Sequence, residues 1–469
     1  MSTPLPPLYA RWMEELLGQP LPEQPRSDCA RCPQCGPAAP ATLFRPGVKC
    51  CTYMPHLPAF RVGQILADTA PDAEAGRSKV RVRVQLGLGR TPMGVLPPPS
   101  LAREYAKMYS EGAFGTHPTL TCPYLVGEGQ CGVWRHRQAV CATWFCRADR
   151  GVLGSRLYHA VRDLLVEAER VLNLWCAVQL GLPAAAIAAL WDSSGAPRPL
   201  GPGGIPAGMD GQIPQAAARA LWGPWHGREE AYYRACAERV SALSWADVAR
   251  EGGVRLGVLA TQVQAALAAW QDPALPPVLV LGAAEALPGL QGGVRLRTEE
   301  SAFDPVEVPA ALVDALGAFD GAPTDVVRAR LQAQGHALPP ELVRALYEHG
   351  ILLAPDGVDL PPNARPTGPL KPKDRLAFFR GYRSWTVSTR MLMQPDGAPA
   401  LVRRCGPREI TLEGADGVAF GEGLYNSQYG FQADDACRWT PPGGRRAWPE
   451  VRDDLDALVA GELLVRLPR

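Results

Sequence analysis

Apolar residues recur along parts of this chain at the spacing of one helical face. The clearest case is Leu157, Val161, Leu164, Leu165, Ala168, Val171, Leu172, Trp175 and Val178, set three and four apart, which predicts a long helix packed on one side. A short amphipathic piece from Tyr9 to Leu17 predicts another helix, inside an otherwise Pro-rich arm over residues 1–27. The stretch KVRVRVQLGL, Lys79 to Leu88, alternates instead. Val80, Val82, Val84, Leu86 and Leu88 share one face and Lys79, Arg81 and Arg83 the other, which predicts a half-buried strand with a solvated basic face. A short helix is expected over LAREYAKMYSEG from Leu101. Further helical segments are expected from Pro183 to Trp191, from Gln215 to Gly252 and from Leu256 to Trp270. The Gly/Pro-dense SSGAPRPLGPGGIPAGMDGQIP between them reads as a loop.

Near Pro273 the texture changes to short strands, beginning with DPALPPVLVLG. VPAALVDALGAFDG, PTDVVRARLQAQG and LPPELVRALYEHGILLAP then give three short helices broken by Gly or Pro and closed by an apolar strand, the pattern of a winged helix. LPPNARPTGPLKPKD separates this part from the tail. The tail echoes its ending: ALYEHGILLAP from Ala345 and DALVAGELLVRLP from Asp456 each run helix end, Gly, Leu-rich strand. The expected fold class is α+β and mainly helical. Its parts are the Pro-rich arm, a cysteine-rich metal-binding domain over residues 28–150, a helical domain over 151–272, a winged-helix-like domain over 273–360 and a second winged-helix-like or α+β domain over 370–469.

Composition narrows the setting. Lys plus Arg number 48 against 47 for Asp plus Glu, so no global field draws in nucleic acid or an anionic membrane. The helix PPELVRALYEHG, where a recognition helix would stand, carries Glu341, Arg344, Glu348 and His349 and is not a basic face. A protein or peptide partner for the C-terminal domains is expected rather than DNA. No apolar run approaches the roughly 20 residues that cross a bilayer, and the N-terminus has no signal-peptide pattern. A cytoplasmic protein is expected.

Thirteen cysteines are unusual there, and a reducing compartment disfavours structural disulfides. Nine of the thirteen lie before residue 150, which moves metal ligation ahead of chance burial. CARCPQCG gives two overlapping C-x-x-C pairs, Cys29 with Cys32 and Cys32 with Cys35, followed by the vicinal pair Cys50 and Cys51. CPYLVGEGQCGVWRHRQAVCATWFC then spaces Cys122, Cys131, Cys141 and Cys146 by eight, nine and four intervening residues. A C-x-x-C turn lets two thiolates converge on one metal while backbone amides face the sulfurs, which is why zinc and iron sites repeat it. Vicinal side chains diverge, so Cys50 and Cys51 are expected to serve two metals or two irons of one cluster. Four ligands per site would use eight of the nine thiols and leave one spare, with Cys29 the candidate. Cys176 and Cys236 read as core residues.

These motifs resemble the YkgJ-type cysteine-cluster family, the zinc- or iron-chelating domain summarised as CxxCxxCC. The resemblance covers residues 29–150. It implies Cys32, Cys35, Cys50, Cys51, Cys122, Cys131, Cys141 and Cys146 as metal ligands, with Cys29 an additional candidate, Trp134 in the family's aromatic position and Arg137 in its Arg position. The chain departs from the pattern in the insertion between Cys35 and Cys50, in Gln138 where the family has Pro, and in Ala142 where it commonly has Arg. A weaker resemblance links LGAFDGAPTDVVRARLQAQGHALPPELVRALYEHGILLAP to PqqD-like winged helices that hold leader peptides.

Two functions of different class follow as expectations. One is an iron–sulfur protein, redox-active or modifying a protein or peptide. The resembled family includes flagellin lysine N-methylases, which raises S-adenosylmethionine as a cosubstrate, yet the chain lacks a C-x3-C-x2-C run and a Gly-rich loop between strand and helix. The other is a zinc-stapled scaffold or adaptor, whose closed thiolate sites contribute folding energy and no chemistry. A metal-responsive DNA-binding regulator is disfavoured by the balanced charge. His56, His117 and His136 flank the cysteines as further candidate ligands, and Glu128 is expected in a surface turn.

Overall fold

The structure is a computed structural model that describes residues 5–25, 29, 32–35, 44–98, 100–101, 104–105, 114–127, 129–190, 213, 215–272, 274–282, 284–289, 292–298, 300–354, 368–378, 388–393, 399–405, 408–413, 419–420, 431–440, 444–460 and 464–466. Its architecture is mainly helical with small antiparallel sheets. The chain divides into two compact units, residues 1–149 with 153–272 and residues 150–152 with 273–469. Among the described residues no helix is long and apolar enough to cross a membrane.

The first unit opens with α1 (Pro7–Leu17), which starts on a Pro in its first turn and stops at Gly18 in the left-handed region, φ +68°. Tyr9, Trp12 and Met13 form its inner face and are fully buried, each worth roughly 2–3 kcal/mol of transfer free energy. The Trp12 indole N–H is satisfied by the Leu243 carbonyl at 3.0 Å. β1 (Leu57–Pro58) leads into α2 (Ala59–Ala67), a helix buried nearly all round.

α3 (Glu74–Leu86) occupies the stretch for which alternation predicts a strand. The reason lies in packing: Gly76, Val80 and Val84, four residues apart, are the buried stripe, while Val82 and Leu86 are left 47% and 60% exposed. Gly76 sits where a Cβ would fall 1.8 Å from the Gly132 carbonyl oxygen, so only glycine lets the helix lie against that backbone. Gly87, at φ +71°, ends the helix with its N–H on the Val84 carbonyl. The basic side chains are also partly occupied, with Lys79 Nζ donating to the Leu125 carbonyl.

β2 (Arg90–Thr91) and β3 (Gly94–Val95) complete a sheet in the order β1–β3–β2. Of the helix expected from Leu101, residues 101, 104 and 105 are described and helical. β4 (Leu125–Val126) and β5 (Gln130–Cys131) form a hairpin with Leu125 opposite Cys131, and α4 (Ala139–Thr143) follows. Glu128 lies outside the described residues. α5 (Gly151–Gln179) is the long one-sided helix the periodicity predicts, with Leu157, Val161, Leu164, Leu165, Ala168 and Leu172 buried. α6 (Ala184–Leu190) precedes the Gly/Pro-rich loop, which lies almost wholly outside the described residues. α7 (Gln215–Trp222), α8 (Glu229–Ser241) and α9 (Trp245–Gln271) finish the unit. Ser244 and Asp247 cap α9 reciprocally, and Gly253 interrupts it with φ +59°, ψ −146°, which separates the two helical segments expected on either side. α2 lies against α8 at Gly63, where a Cβ would meet the Tyr233 carbonyl at 1.9 Å. The buried Tyr233 hydroxyl donates to the Thr91 carbonyl at 2.7 Å, which fixes the β2–β3 turn on α8.

In the second unit β6 (Val278–Leu281) is followed by a meander of β7 (Glu285–Pro288), β8 (Val294–Arg297) and β9 (Val306–Val308). Next come α10 (Ala310–Ala315), β10 (Asp320–Pro323), α11 (Thr324–Ala333), α12 (Pro340–Glu348) and β11 (Leu352–Leu353). β6 is the central strand between β10 and β11, and Leu279, Phe319, Val327, Leu331, Val343 and Leu346 form the core beneath them. His349, at the end of α12, is held by Asp304 Oδ2 at 3.1 Å and by the Ala345 carbonyl at 2.8 Å. The separator before the tail lies outside the described residues up to residue 367. Beyond it are β12 (Arg375–Phe378), the meander β13 (Ser388–Met393), β14 (Pro399–Cys405) and β15 (Arg408–Glu413), then β16 (Phe431–Gln432), α13 (Trp448–Ala460) and β17 (Leu464–Arg466). β12 pairs with β16 and β17, and Leu376, Val451, Leu455 and Leu464 pack as a separate core.

Candidate metal centre

The two cysteine groups meet through backbone. Cys35 N–H closes a turn on the Cys32 carbonyl at 3.2 Å, and the Gln34 carbonyl between them accepts the Phe44 N–H at 3.2 Å. Phe44 is buried with its ring 5.7 Å from Phe114 and 6.4 Å from Trp144, so the aromatic cluster ties the first turn to the segment that ends at Cys146. A run of turns from Arg45, with Cys51 N–H on the Val48 carbonyl at 3.0 Å, delivers the vicinal pair. The Cys122 N–H then donates to the Cys51 carbonyl at 2.7 Å. From Cys122 the hairpin β4–β5 returns Cys131 to the same place, with Gly132 N–H on the Tyr124 carbonyl at 2.9 Å. Gln138 caps α4 through Val140 N–H at 2.6 Å and turns its amide toward the Cys141 sulfur at 3.5 Å. The residue that stands where the resembled family has Pro therefore has a structural task of its own.

All nine thiols lie in one electrostatic neighbourhood, and none forms a disulfide. Cys141 is within reach of Cys122, Cys131 and Cys51, and burial foremost, then their charge, raises it well above the ordinary thiol range. Burial pushes Cys122 up to about 12 and Cys131 up to about 11, each with Cys51 among its neighbours. Cys35 is pushed up to about 12 by burial and by the hydrogen bond and charge of Cys32, with Cys146 also near. Cys29, exposed at the surface, lies near both Cys51 and Cys32.

Cys50 and Cys51 are hydrogen-bonded to one another, which raises Cys50 and lowers Cys51, because the Cys51 sulfur is the acceptor. Two cations support that thiolate. Lys49, at φ +54°, donates from Nζ to the Cys29 carbonyl at 2.8 Å and the Gly129 carbonyl at 3.2 Å. Arg137 is buried with its guanidinium 3.4 Å above the Trp134 ring, and its charge reaches Cys131, Cys141 and Cys29.

The histidines have other partners. His56 Nε2 faces the Met93 carbonyl at 3.1 Å, His117 Nδ1 the Thr119 hydroxyl at 2.6 Å, and His136 Nε2 the Asp68 carboxylate at 2.9 Å. Among the described residues, no three His, Cys, Asp or Glu side chains stand at the spacing of a single ion. The donor set nonetheless suits a thiophilic metal. Thiolates are the ligands of zinc and iron–sulfur centres, and burial opposes their ionisation unless a cation compensates, so metal uptake here would release protons. Zinc or an iron–sulfur cluster would draw on Cys32, Cys35, Cys50, Cys51, Cys122, Cys131, Cys141 and Cys146, with Cys29 adjacent. No protein family, curated protein or solved structure matches the chain.

One buried group behind the cysteines escaped the reading of sequence. Glu169 Oε1 accepts the Tyr9 hydroxyl and the Ala139 N–H, the latter at 2.8 Å, so it holds the first residue of the helix that carries Cys141. Arg61, fully buried, stands with its guanidinium 3.6 Å from the Tyr9 ring. Burial pushes the Glu169 carboxyl up to about 7 against the opposing pull of Tyr9, Ala139 and Arg61. Its position between Leu165 and Leu172 on the buried stripe of α5 was the available signal, since a carboxylate there must find partners.

Proposed function

We propose that the first unit is a thiolate metal centre that takes zinc or an iron–sulfur cluster. The observation that carries this reading is the hydrogen bond from Cys122 to the Cys51 carbonyl. It joins segments 71 residues apart and brings half-buried thiols of the two cysteine groups together, where thiolates favour a metal over a disulfide in a reducing compartment. Arg137 and Lys49 favour the thiolate form that a metal needs.

The second unit supports a docking role. α10, β10, α11, α12 and β11 follow the order of a winged helix, and α12 offers Glu341, Arg344 and Glu348 rather than a basic surface. A protein or peptide partner fits this charge better than nucleic acid. In this reading the chain is a metal-bearing protein that engages a polypeptide, either as a modifying enzyme or as a zinc-stapled adaptor.

Metal analysis and an absorbance spectrum on full-length protein purified without oxygen test the reading. Brown protein with a broad band and stoichiometric iron supports the cluster and a redox or modifying role. Colourless protein with stoichiometric zinc supports the adaptor. Protein that holds neither metal, even after reconstitution, overturns the proposal.

A further inference from the structure

We propose that the Pro-rich arm braces the end of the second cysteine group, with Tyr9 and Gln24 as positioning residues for Cys141 and Cys146. The brace is a matter of geometry within the first unit. Its use, to hold thiols in place for a metal, rests on the reading above.

The arm meets the segment around these two cysteines at both ends. At its start, α1 places the Tyr9 hydroxyl on Glu169 Oε1, and the same oxygen accepts the Ala139 N–H at 2.8 Å, two residues before Cys141. Tyr9 is fully buried, so no solvent competes for that bond. At its far end, the buried Gln24 accepts the Asp149 N–H on Oε1 at 2.8 Å, three residues after Cys146. The Trp270 indole of α9 donates to the Asp149 carbonyl at 3.3 Å, so both backbone groups of Asp149 are held. Between these ends the Tyr158 hydroxyl donates to the Pro22 carbonyl at 2.6 Å, and the Tyr158 ring stands edge-on to Phe145, the neighbour of Cys146, with centroids 4.6 Å apart.

The segment has little of its own to hold it. α4 is only five residues long, too short for helix propensity to sustain it, and no helix or strand runs from Trp144 to Asp149. The arm, in contrast, is seated away from the cysteines. Arg11 Nη2 donates to the Ser241 and Leu243 carbonyls at 3.0 and 2.8 Å, closing the end of α8, and Glu15 accepts the N–H of Trp245, the first residue of α9. A rigid corner of the helical body therefore fixes the arm, and the arm fixes the backbone on either side of two thiols. Reactive or ligating side chains need such support, because their own rotamers cannot set the backbone beneath them.

The test uses full-length reduced protein freed of metal by chelation, with alkylation rates read cysteine by cysteine by mass spectrometry. Y9F removes only the hydroxyl, and Q24M removes the amide at similar volume. Y9F should speed alkylation of Cys141 by about fivefold and Q24M that of Cys146, the effect of one lost hydrogen bond on a local opening, while Cys122 and Cys131 keep their wild-type rates. Equal acceleration of all four thiols, or of none, overturns the proposal, since an arm that merely stabilises the unit would act on them alike. Hydrogen exchange on the wild type guards against a variant that fails to fold. The Ala139 and Asp149 amides should open together with α1, and an α1 that exchanges fast while those amides stay protected overturns the brace. Zinc titration of the same proteins separates the two readings. Zinc bound by the wild type and held more weakly by both variants supports the brace's use at a metal, and equal affinity in all three overturns that use. No zinc bound, together with no iron after reconstitution, overturns the metal reading, and the alkylation rates still decide the brace.

Discussion

The Cys122 N–H donates to the Cys51 carbonyl at 2.7 Å, and this bond joins two cysteine groups distant in sequence. If the cysteine groups bind metal across that junction, C141S/C146S should bring metal per chain close to zero. Metal content by mass spectrometry, with circular dichroism to confirm the fold, checks this. Retention of full metal in a folded variant would remove both cysteines from the ligand set.

Proton release should make metal binding steeply pH-dependent. With Cys35 and Cys122 pushed up to about 12 and Cys131 to about 11, protons compete with metal throughout the neutral range. Zinc affinity measured by competition with a chelator should rise by at least tenfold for each unit between pH 6 and pH 8. An affinity flat across that range would mean that these thiols are not the ligands.

Cys51 should be the most reactive thiol of the metal-free chain. The hydrogen bond from Cys50 lowers it first, and Lys49 and Arg137 lower it further. In C50A the donor is gone, the Cys51 value rises toward that of an ordinary thiol, and its alkylation at pH 7 should slow several-fold. Peptide-resolved iodoacetamide kinetics would show this, and equal rates in the two proteins would contradict it.

Glu169 predicts a pH dependence of stability. Its folded value of about 7 lies above the ordinary 4.5, so the native state holds the proton more tightly than the unfolded chain. The resulting stabilisation is fully present below pH 4.5 and is lost as pH rises through 7, by up to about 3 kcal/mol for one buried group. Denaturant titrations of E169Q should lack this contribution and lie above the wild type at pH 8, while E169A, which cannot accept from Ala139, should be less stable at every pH.

Gly76→Ala should weaken both fold and site. A Cβ there would lie 1.8 Å from the Gly132 carbonyl oxygen, next to Cys131, and backbone must move to admit it. A loss of ~2–4 kcal/mol is expected, with lower zinc affinity. Gly18→Ala, at an open position with φ +68°, should cost only about 1 kcal/mol and leave zinc affinity unchanged, which separates local strain from damage to the site.

Much of this protein is legible in its sequence. The stripe from Leu157 to Leu172 specifies α5, since side chains three and four apart can meet only on a helix, while Val178, expected on the same face, is exposed; Gly253 divides two helical segments because its backbone leaves the helical region. The spacing of nine cysteines nominates the candidate ligands. Tertiary structure decided what spacing leaves open. Lys79 to Leu86 satisfies strand alternation and helix periodicity alike, and the close approach of Gly76 to Gly132 selects the helix. The contact between the Cys50 and Cys51 thiols, the stacking of Arg137 on Trp134 and the grip of Glu169 on Ala139 are set by partners remote in the chain. Periodicity records which face a residue turns inward. What it meets there depends on segments whose relative placement only the packed chain fixes.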